Sequence, residues 1–524
     1  MQQKEFMKNT MVMTVTALVL RAIGIIFRIY LSGRIGAEGM GLYQMVFSVY
    51  VLLSTFASTG ICTAVARLVT DELVCGSIKS IRRVLRRAIP LCVAVGLLSA
   101  ILIFVFSATV CSYLLKDMRA VTSVKALGVG LPFMGVTACL RGYFMARRKT
   151  VLPSIAQILE QLARIGFIFM FLQLFDKTVE RACLAVILGD SFAEIFSCCV
   201  ISVGYVLDIR RVKSQHTSGS LQTKNGMLRR LLDIAAPITV GRYVNSALRT
   251  MENVLVPQKL TAFGGTTQTS LEQFGMLKGM ALPLLFFPSS FLSSVSTLLI
   301  PELSEAHTLG EQKKVCRAVK KTLRITLLTS ILLGGLFTVF AYEFGDILYG
   351  SREVGFLLRV LAPLTPIMYL ESIVDGMLKG LNQQLSSLWY NLLDSASRIA
   401  LIMVIVPRKG LAGFLFIMIL SNFLTSYLNL QRLLKVTNMR MLWGAWVVKP
   451  VITITAASVG WLYLQKYVVI TSPVLRVLTG ILSISAVFLI ISVINGSVTK
   501  EDLRGVIPRR SSLLIIISKR LNFE

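Results

Sequence analysis

The sequence predicts an all-α polytopic membrane protein of fourteen transmembrane helices, with two pseudo-symmetric six-helix lobes around a central cavity and two further C-terminal helices. Three observations predict it. Fourteen apolar runs follow one another, each near the ~20 residues that carry a helix across a ~30 Å hydrocarbon core. Basic residues gather in almost every second gap, as the positive-inside rule asks of a chain crossing back and forth. Segments 234 residues apart also repeat one another without gaps. Composition agrees: 524 residues, 55% hydrophobic, 15% charged and a mean hydropathy of +0.72 exclude a disordered chain and an ordinary soluble enzyme.

The runs lie near 11–33, 41–66, 89–115, 122–146, 153–175, 182–207, 230–256, 276–300, 323–345, 354–379, 385–406, 410–431, 446–466 and 473–494. With the N-terminus in the cytoplasm, even-numbered crossings return to the basic side. Arg67, Lys79, Arg82, Arg83, Arg86 and Arg87 follow the second crossing, and Arg147, Arg148 and Lys149 follow the fourth. Arg210, Arg211, Lys213, Lys224, Arg229 and Arg230 follow the sixth; Lys313, Lys314, Arg317, Lys320, Lys321 and Arg324 follow the eighth. Arg432, Lys435, Arg440 and Lys449 follow the twelfth, and only the turn after the tenth is poor in charge. This pattern accounts for most of the net charge of +29 without nucleic acid as a partner. It predicts a multi-pass chain in the cytoplasmic membrane with both termini cytoplasmic. The opening MQQKEFMKNT has no small-residue cleavage site, so no removable signal is expected. The nine cysteines are scattered apart from Cys198 and Cys199, and no CxxC occurs, so neither a disulfide framework nor a metal site is expected.

The expected organisation is an N-terminal lobe over 1–207 (helices 1–6) and a Ser/Gly/Thr-rich cytoplasmic linker over 208–229. A C-terminal lobe follows over 230–434 (helices 7–12), then helices 13–14 over 435–494 and a basic cytoplasmic tail over 495–524. The apolar run of the tail, RRSSLLIIISKRLNFE, is too short to span and is expected to rest on the inner leaflet. A shift of 234 residues aligns Pro132 with Pro366, Gly142 with Gly376, Glu160 with Asp394 and Arg164 with Arg398. A shift of 221 aligns Arg21 with Arg242 and Arg28 with Arg249, the difference matching a longer loop over 257–273. Six crossings per repeat is an even number, so both repeats enter from one side and substrate is expected between them near the midplane. Pro132, Pro153, Pro237, Pro283, Pro288, Pro363 and Pro366 fall in or near helices, where proline breaks or bends them.

The intramembrane charges are the informative residues. Arg21 and Arg28 stand seven residues apart, close to two turns, so both guanidiniums fall on one helix face. An arginine at the centre of a lone membrane helix costs about 2.5–3.5 kcal/mol. Either the two snorkel or pair within a bundle, or they line a watered cavity that receives an anion. On the second reading Arg21, Arg28, Arg242, Arg249 and Lys278 are the cavity cations that bind substrate, Lys278 having no acid near it in sequence. Glu252, one turn beyond Arg249, is a candidate partner for it. Glu160/Arg164 and Asp394/Arg398 are i,i+4 pairs expected to neutralise themselves as supporting charge pairs. Lys125, Arg141, Glu371, Asp375 and Lys379 sit near helix ends, where snorkelling accounts for them. The surplus of cations over unpaired acids predicts an anionic ligand, and phosphate or pyrophosphate suits arginine forks. With histidines only at His216 and His307, and no nucleophile–base set, metal ligands or Gly-rich phosphate loop, neither an enzyme nor a cofactor is expected.

Several long blocks resemble a known family. LRAIGIIFRIYLSGRIGAEGMGLYQ, RGYFMARRKTVLPSIAQILEQLAR, LRTMENVLVPQKL and LKGMALPLLFFPSSFLSSVSTLLIPELSEA are similar to the stage V sporulation protein B group. That group lies within the multidrug/oligosaccharidyl-lipid/polysaccharide exporter superfamily, which includes the lipid II flippases. The resemblance covers essentially the whole chain. It implies a fourteen-helix flippase with two lobes about a cationic cavity, moving a lipid-linked peptidoglycan precursor outward for the spore cortex. Arg21 followed by Gly24 is similar to the first-helix arginine motif of the lipid II flippases, whose arginines are thought to meet pyrophosphate. Two places depart from the pattern: Cys62 stands where relatives carry proline, and the basic residue before Phe287 is absent, with Lys278 as its upstream replacement.

The expected partners are therefore a lipid-linked anionic saccharide and membrane lipids, with a monomer as the expected state and cell-wall synthesis enzymes as further candidates. Two rivals use the same helices. A multidrug-type exporter would show unpaired acids where this chain shows arginines. A non-transporting scaffold for cell-wall enzymes would tolerate loss of the arginines.

Overall fold

The computed structural model describes residues 2–74, 78–175, 178–211, 227–467 and 472–497, and every regular element among them is helical. The expectations for the centre of the linker, with Lys213, His216 and Lys224, and for the tail beyond 497 lie outside the described residues.

The first element, α1 (Gln2–Val74), holds both of the first two predicted crossings. It is two helices that meet at Gly36, whose φ of 70° and ψ of −178° are open to almost nothing but glycine. There follow α2 (Ile78–Thr109), which continues as a π turn to Leu115, and α3 (Val121–Leu127) and α4 (Leu131–Ala146), bent from each other by 42°. Next come α5 (Val151–Leu174), α6 (Val179–Arg211) and α7 (Met227–Ala262). After α8 (Thr267–Phe274), the predicted eighth crossing is broken into a π turn over Gly275–Ala281, α9 (Leu282–Phe286) and α10 (Ser289–Thr308). The remainder is α11 (Gln312–Val339), α12 (Ala341–Tyr349), α13 (Arg352–Leu361), α14 (Thr365–Gly380), α15 (Gln384–Thr437), α16 (Lys449–Leu464) and α17 (Pro473–Ile494). Like α1, α15 joins two predicted crossings across one glycine, Gly410, at φ 57°. Pro132 and Pro366, which the repeat aligns, each stand in the first turn of a helix, α4 and α14, where proline removes no bonded N–H.

Among the described residues nine helices are long and apolar enough to cross a bilayer, ten if the bent α3–α4 pair is one span. Fourteen were expected, and the shortfall has physical causes. The apolar parts of α1 and α15, 63 and 54 residues long, count once each. α7 is diluted by Arg242, Arg249 and Glu252, and the α8–α10 stretch is broken into short pieces. One boundary also moves: α2 begins well before residue 89, so Arg82, Arg83, Arg86 and Arg87 are helical rather than loop residues.

The chain forms two compact units. One comprises the described residues up to Phe287 together with Asn391–Ser421. Its core joins the second half of α1 to α2, α4, α6 and α7 through buried Val65, Leu68, Leu85, Leu140, Ile201 and Leu231. The other comprises Pro288–Tyr390 and the described residues from Asn422 onward. Its core is built on Leu323, Ile331, Phe340, Val374, Leu433 and Phe488. Every candidate site residue lies in the first unit.

Candidate functional site

The candidate residues fall into two buried ion clusters and a set of cations outside them. Arg164 on α5 is the hub of the first cluster. Its Nε lies 3.0 Å from Asp190 Oδ1, and its Nη2 lies 3.1 Å from Glu160 Oε1 and 3.8 Å from Glu194 Oε1. Asp190 and Glu194 stand one turn apart on α6, both buried. Arg141 on α4 reaches Glu160 Oε2 at 2.7 Å, and Ser197 Oγ donates to the same oxygen at 2.8 Å. Tyr43, on the second half of α1, donates to Asp190 Oδ2 at 3.3 Å. Arg28, on the first half, acts on both Tyr43 and Asp190 at longer range.

The second cluster is centred on Glu252 of α7, whose two oxygens each take a cation. Lys278 Nζ lies 2.9 Å from Oε1 and Arg398 Nη1 lies 3.3 Å from Oε2. Arg398 Nη2 also meets Asp394 Oδ2 at 2.5 Å, while Ser421 Oγ donates to Asp394 Oδ1 at 2.5 Å. Lys278 arrives from the π turn between α8 and α9, a wide turn of a kind often found at functional sites. That turn sits hard against α1: a Cβ on Gly275 would stand 2.0 Å from the Ala37 carbonyl oxygen, so only glycine fits. The two clusters share a plan in which an acid, the arginine four residues on and a later serine meet: Glu160, Arg164 and Ser197, then Asp394, Arg398 and Ser421. The acid and the arginine follow the 234-residue repeat, whereas the serines, 224 residues apart, do not.

Burying such charges is tolerable because each is partnered. Glu160, Asp190, Glu194, Glu252 and Asp394 are all buried, and every one lies within ion-pair distance of a cation. Three arginines of α1 and α7, Arg28, Arg242 and Arg249, differ. Arg21, Arg242 and Arg249 are exposed and Arg28 is half-buried. Among the described residues no carboxylate stands within ion-pair distance of Arg28, Arg242 or Arg249. α7 lies antiparallel on the second half of α1, with Thr250 Oγ1 donating to the Ser48 carbonyl oxygen at 2.9 Å and Thr239 against Gly60.

Three sequence expectations change. Glu252 is bonded to Lys278 and Arg398 rather than to Arg249, which acts on it only at longer range. Lys278 therefore has an acid, one 26 residues upstream. Arg141 does not snorkel but closes on Glu160. Sequence reasoning passed over Asp190, Glu194 and Tyr43; the available signal was a pair of acids four residues apart inside the apolar run 182–207. Among the described residues no group of three or more His, Cys, Asp or Glu is placed to hold a metal.

Comparison with known proteins places this geometry in a family. Residues 6–307 match the model of the family described as polysaccharide biosynthesis protein. The chain is 25% identical to stage V sporulation protein B of Bacillus subtilis (strain 168), over 78% of this chain and 80% of that protein. It is 22% identical to the lipid II flippase MurJ of the same organism, over 72% of this chain and 73% of that protein. Among solved structures it resembles the lipid II flippase MurJ in an inward closed conformation, with a TM-score of 0.68 at 14% identity, covering 92% of this chain and 97% of that one. That likeness is one of fold.

Proposed function

The chain belongs to the polysaccharide biosynthesis protein family, and from that membership together with its unpartnered arginines we propose that it is a flippase for an anionic lipid-linked saccharide. It is a multi-pass membrane transporter of the multidrug/oligosaccharidyl-lipid/polysaccharide exporter superfamily and not an enzyme. The proposed substrate is a polyprenyl-pyrophosphate oligosaccharide or peptidoglycan precursor, moved outward across the cytoplasmic membrane for spore cortex or cell-wall synthesis. The observation that carries this reading is the contrast between the five acids of the two clusters, each with a cation, and Arg28, Arg242 and Arg249, which have no carboxylate within ion-pair distance among the described residues; outside the clusters, buried Glu72 is also without a cation among them. Such arginines are stable in a membrane helix where water or an anion meets them.

The architecture proposed to accompany it has fourteen crossings. They follow if the breaks at Gly36 and Gly410 each separate two passages and if α7 and the α8–α10 stretch each cross. The proposed division remains lobes over 1–207 and 230–434, a linker over 208–229, helices 13–14 and the tail, although the described residues up to Phe287 and Asn391–Ser421 form one compact unit; both termini are proposed to be cytoplasmic and the protein monomeric. Alternating access between the lobes would carry the polar head past Arg21, Arg28, Arg242 and Arg249 while the prenyl tail stays in lipid. A negative-inside potential favours outward movement of an anion by about 2.3 kcal/mol per charge per 100 mV.

The test is translocation in proteoliposomes of a fluorescent polyprenyl-pyrophosphate saccharide beside a cationic dye. The proposal expects the saccharide carrier to move and the dye not to. Transport of the dye alone would favour the multidrug reading. Transport of neither, by demonstrably folded protein across several precursors and imposed potentials, would favour a scaffold for cell-wall enzymes.

A further inference from the structure

The start of α2 holds a second concentration of cations, unconnected with the arginines of α1 and α7. Ile81, Val84, Leu85 and Ala88 are buried in the core of the first unit. The residues between them are Arg82, Arg83, Arg86 and Arg87, so the opposite face of these turns is guanidinium throughout. Arg86 is exposed and the other three are half-buried. Among the described residues none of the four has a carboxylate within ion-pair distance, and the chain has no acid at all from residue 78 to residue 116. Arg82 and Arg86 face the end of α6, where they act on Tyr205. The acid at that end, Asp208, is already taken by Arg147 and by Lys149 at 2.6 Å.

A basic loop of any shape would satisfy the positive-inside rule. Four arginines folded into one helix ask for more. Like charges one turn apart repel, as Arg82 does with Arg86 and Arg83 with Arg87. The core residues hold the helix in place regardless, so the repulsion is fixed into the fold until an anion relieves it. The arginines stand where the apolar span begins, at Ile81, and a basic cluster at the end of a span is placed to meet lipid headgroups. Beyond them α2 presents exposed Leu97, Leu98 and Ile101, a surface suited to acyl chains.

We propose that the Arg82–Arg83–Arg86–Arg87 face is a binding site for an anionic phospholipid of the adjoining leaflet, its phosphate held by arginine forks and its chains lying along α2. The site is independent of the transported substrate, and it stands or falls whether or not the flippase reading holds.

The full-length protein in mild detergent is titrated with phosphatidylglycerol or phosphatidylcholine, and bound lipid is counted by native mass spectrometry. Phosphatidylglycerol is expected to bind more tightly, with the preference falling about fivefold for each arginine lost in Arg86→Gln and Arg86→Gln/Arg87→Gln. The double change to lysine keeps the charge that sets topology, and it is expected to fold and to lose part of the preference because the forks are gone. Three results would overturn the site. These are equal binding of the two lipids, an undiminished preference in the glutamine and lysine variants, and displacement of phosphatidylglycerol by an equal concentration of inorganic phosphate.

Discussion

Lys278 donates to Glu252 at 2.9 Å, across 26 residues of sequence and two different helical elements. The contact makes Lys278 part of a neutralised cluster, while Arg28, Arg242 and Arg249 have no such partner among the described residues. Among these cations, Lys278, Arg164 and Arg398 are paired with acids, and the proposed function rests on Arg28, Arg242 and Arg249, which are not.

Glu252→Gln should therefore be costly, because it leaves half-buried Lys278 beside Arg398 with less negative charge to share. Removing one partner of a buried ion pair costs about 3–5 kcal/mol. The expected outcome is a clear drop in melting temperature in detergent, partly restored by adding Lys278→Met. No restoration would show that the two residues do not act as a pair.

Arg164 faces three acids, so Arg164→Ala should be worse than the loss of any single arginine on α1 or α7. A penalty of about 3–5 kcal/mol is expected, seen as loss of monodisperse protein on purification. Arg164→Lys keeps one charge but cannot reach Glu160 and Asp190 as a fork, and it should fall between the two. Equal stability of all three proteins would contradict the assignment.

Ser197 and Ser421 each donate to the acid of an i,i+4 pair. Hydrogen bonds to charged groups contribute about 1.5–3 kcal/mol, so Ser197→Ala and Ser421→Ala should each destabilise by that order. Thermal unfolding of the two single variants and the double variant checks this, with additive losses expected because the serines belong to separate clusters.

Gly36 and Gly410 join helices at backbone angles that other residues avoid. Gly36→Ala and Gly410→Ala should each cost about 1–3 kcal/mol. At Gly410 the added Cβ would also meet the Phe263 ring at 2.7 Å, so Gly410→Ala is expected to be the more damaging. The ranking is read from melting temperatures measured side by side.

Much of this fold is legible in the sequence because helix-length apolar runs and basic gaps are one-dimensional signals. The break at Gly36 falls between the runs predicted at 11–33 and 41–66, and the break at Gly410 opens the run predicted at 410–431. The i,i+4 pairs Glu160/Arg164 and Asp394/Arg398 could be read likewise, since a helix itself brings such residues together. What stayed hidden depends on contacts between helices. Nothing in the local pattern says that Arg141 meets Glu160, that Asp190 meets Arg164, or that the π turn carries Lys278 to Glu252. The helical start of α2 was missed for another reason: four arginines read as a loop, although Ile81, Val84, Leu85 and Ala88 mark a buried helix face between them.

The central claim is that the unpartnered arginines receive the anion and the partnered ones hold the fold. Its most direct test is the translocation rate of a polyprenyl-pyrophosphate saccharide in proteoliposomes, normalised to folded protein, for Arg28→Ala, Arg242→Ala and Arg249→Ala beside Lys278→Met. The account predicts that the three arginine variants fold at wild-type levels and lose most of their transport, whereas Lys278→Met loses stability first. Wild-type transport in all three arginine variants, at normal folded levels, would contradict it.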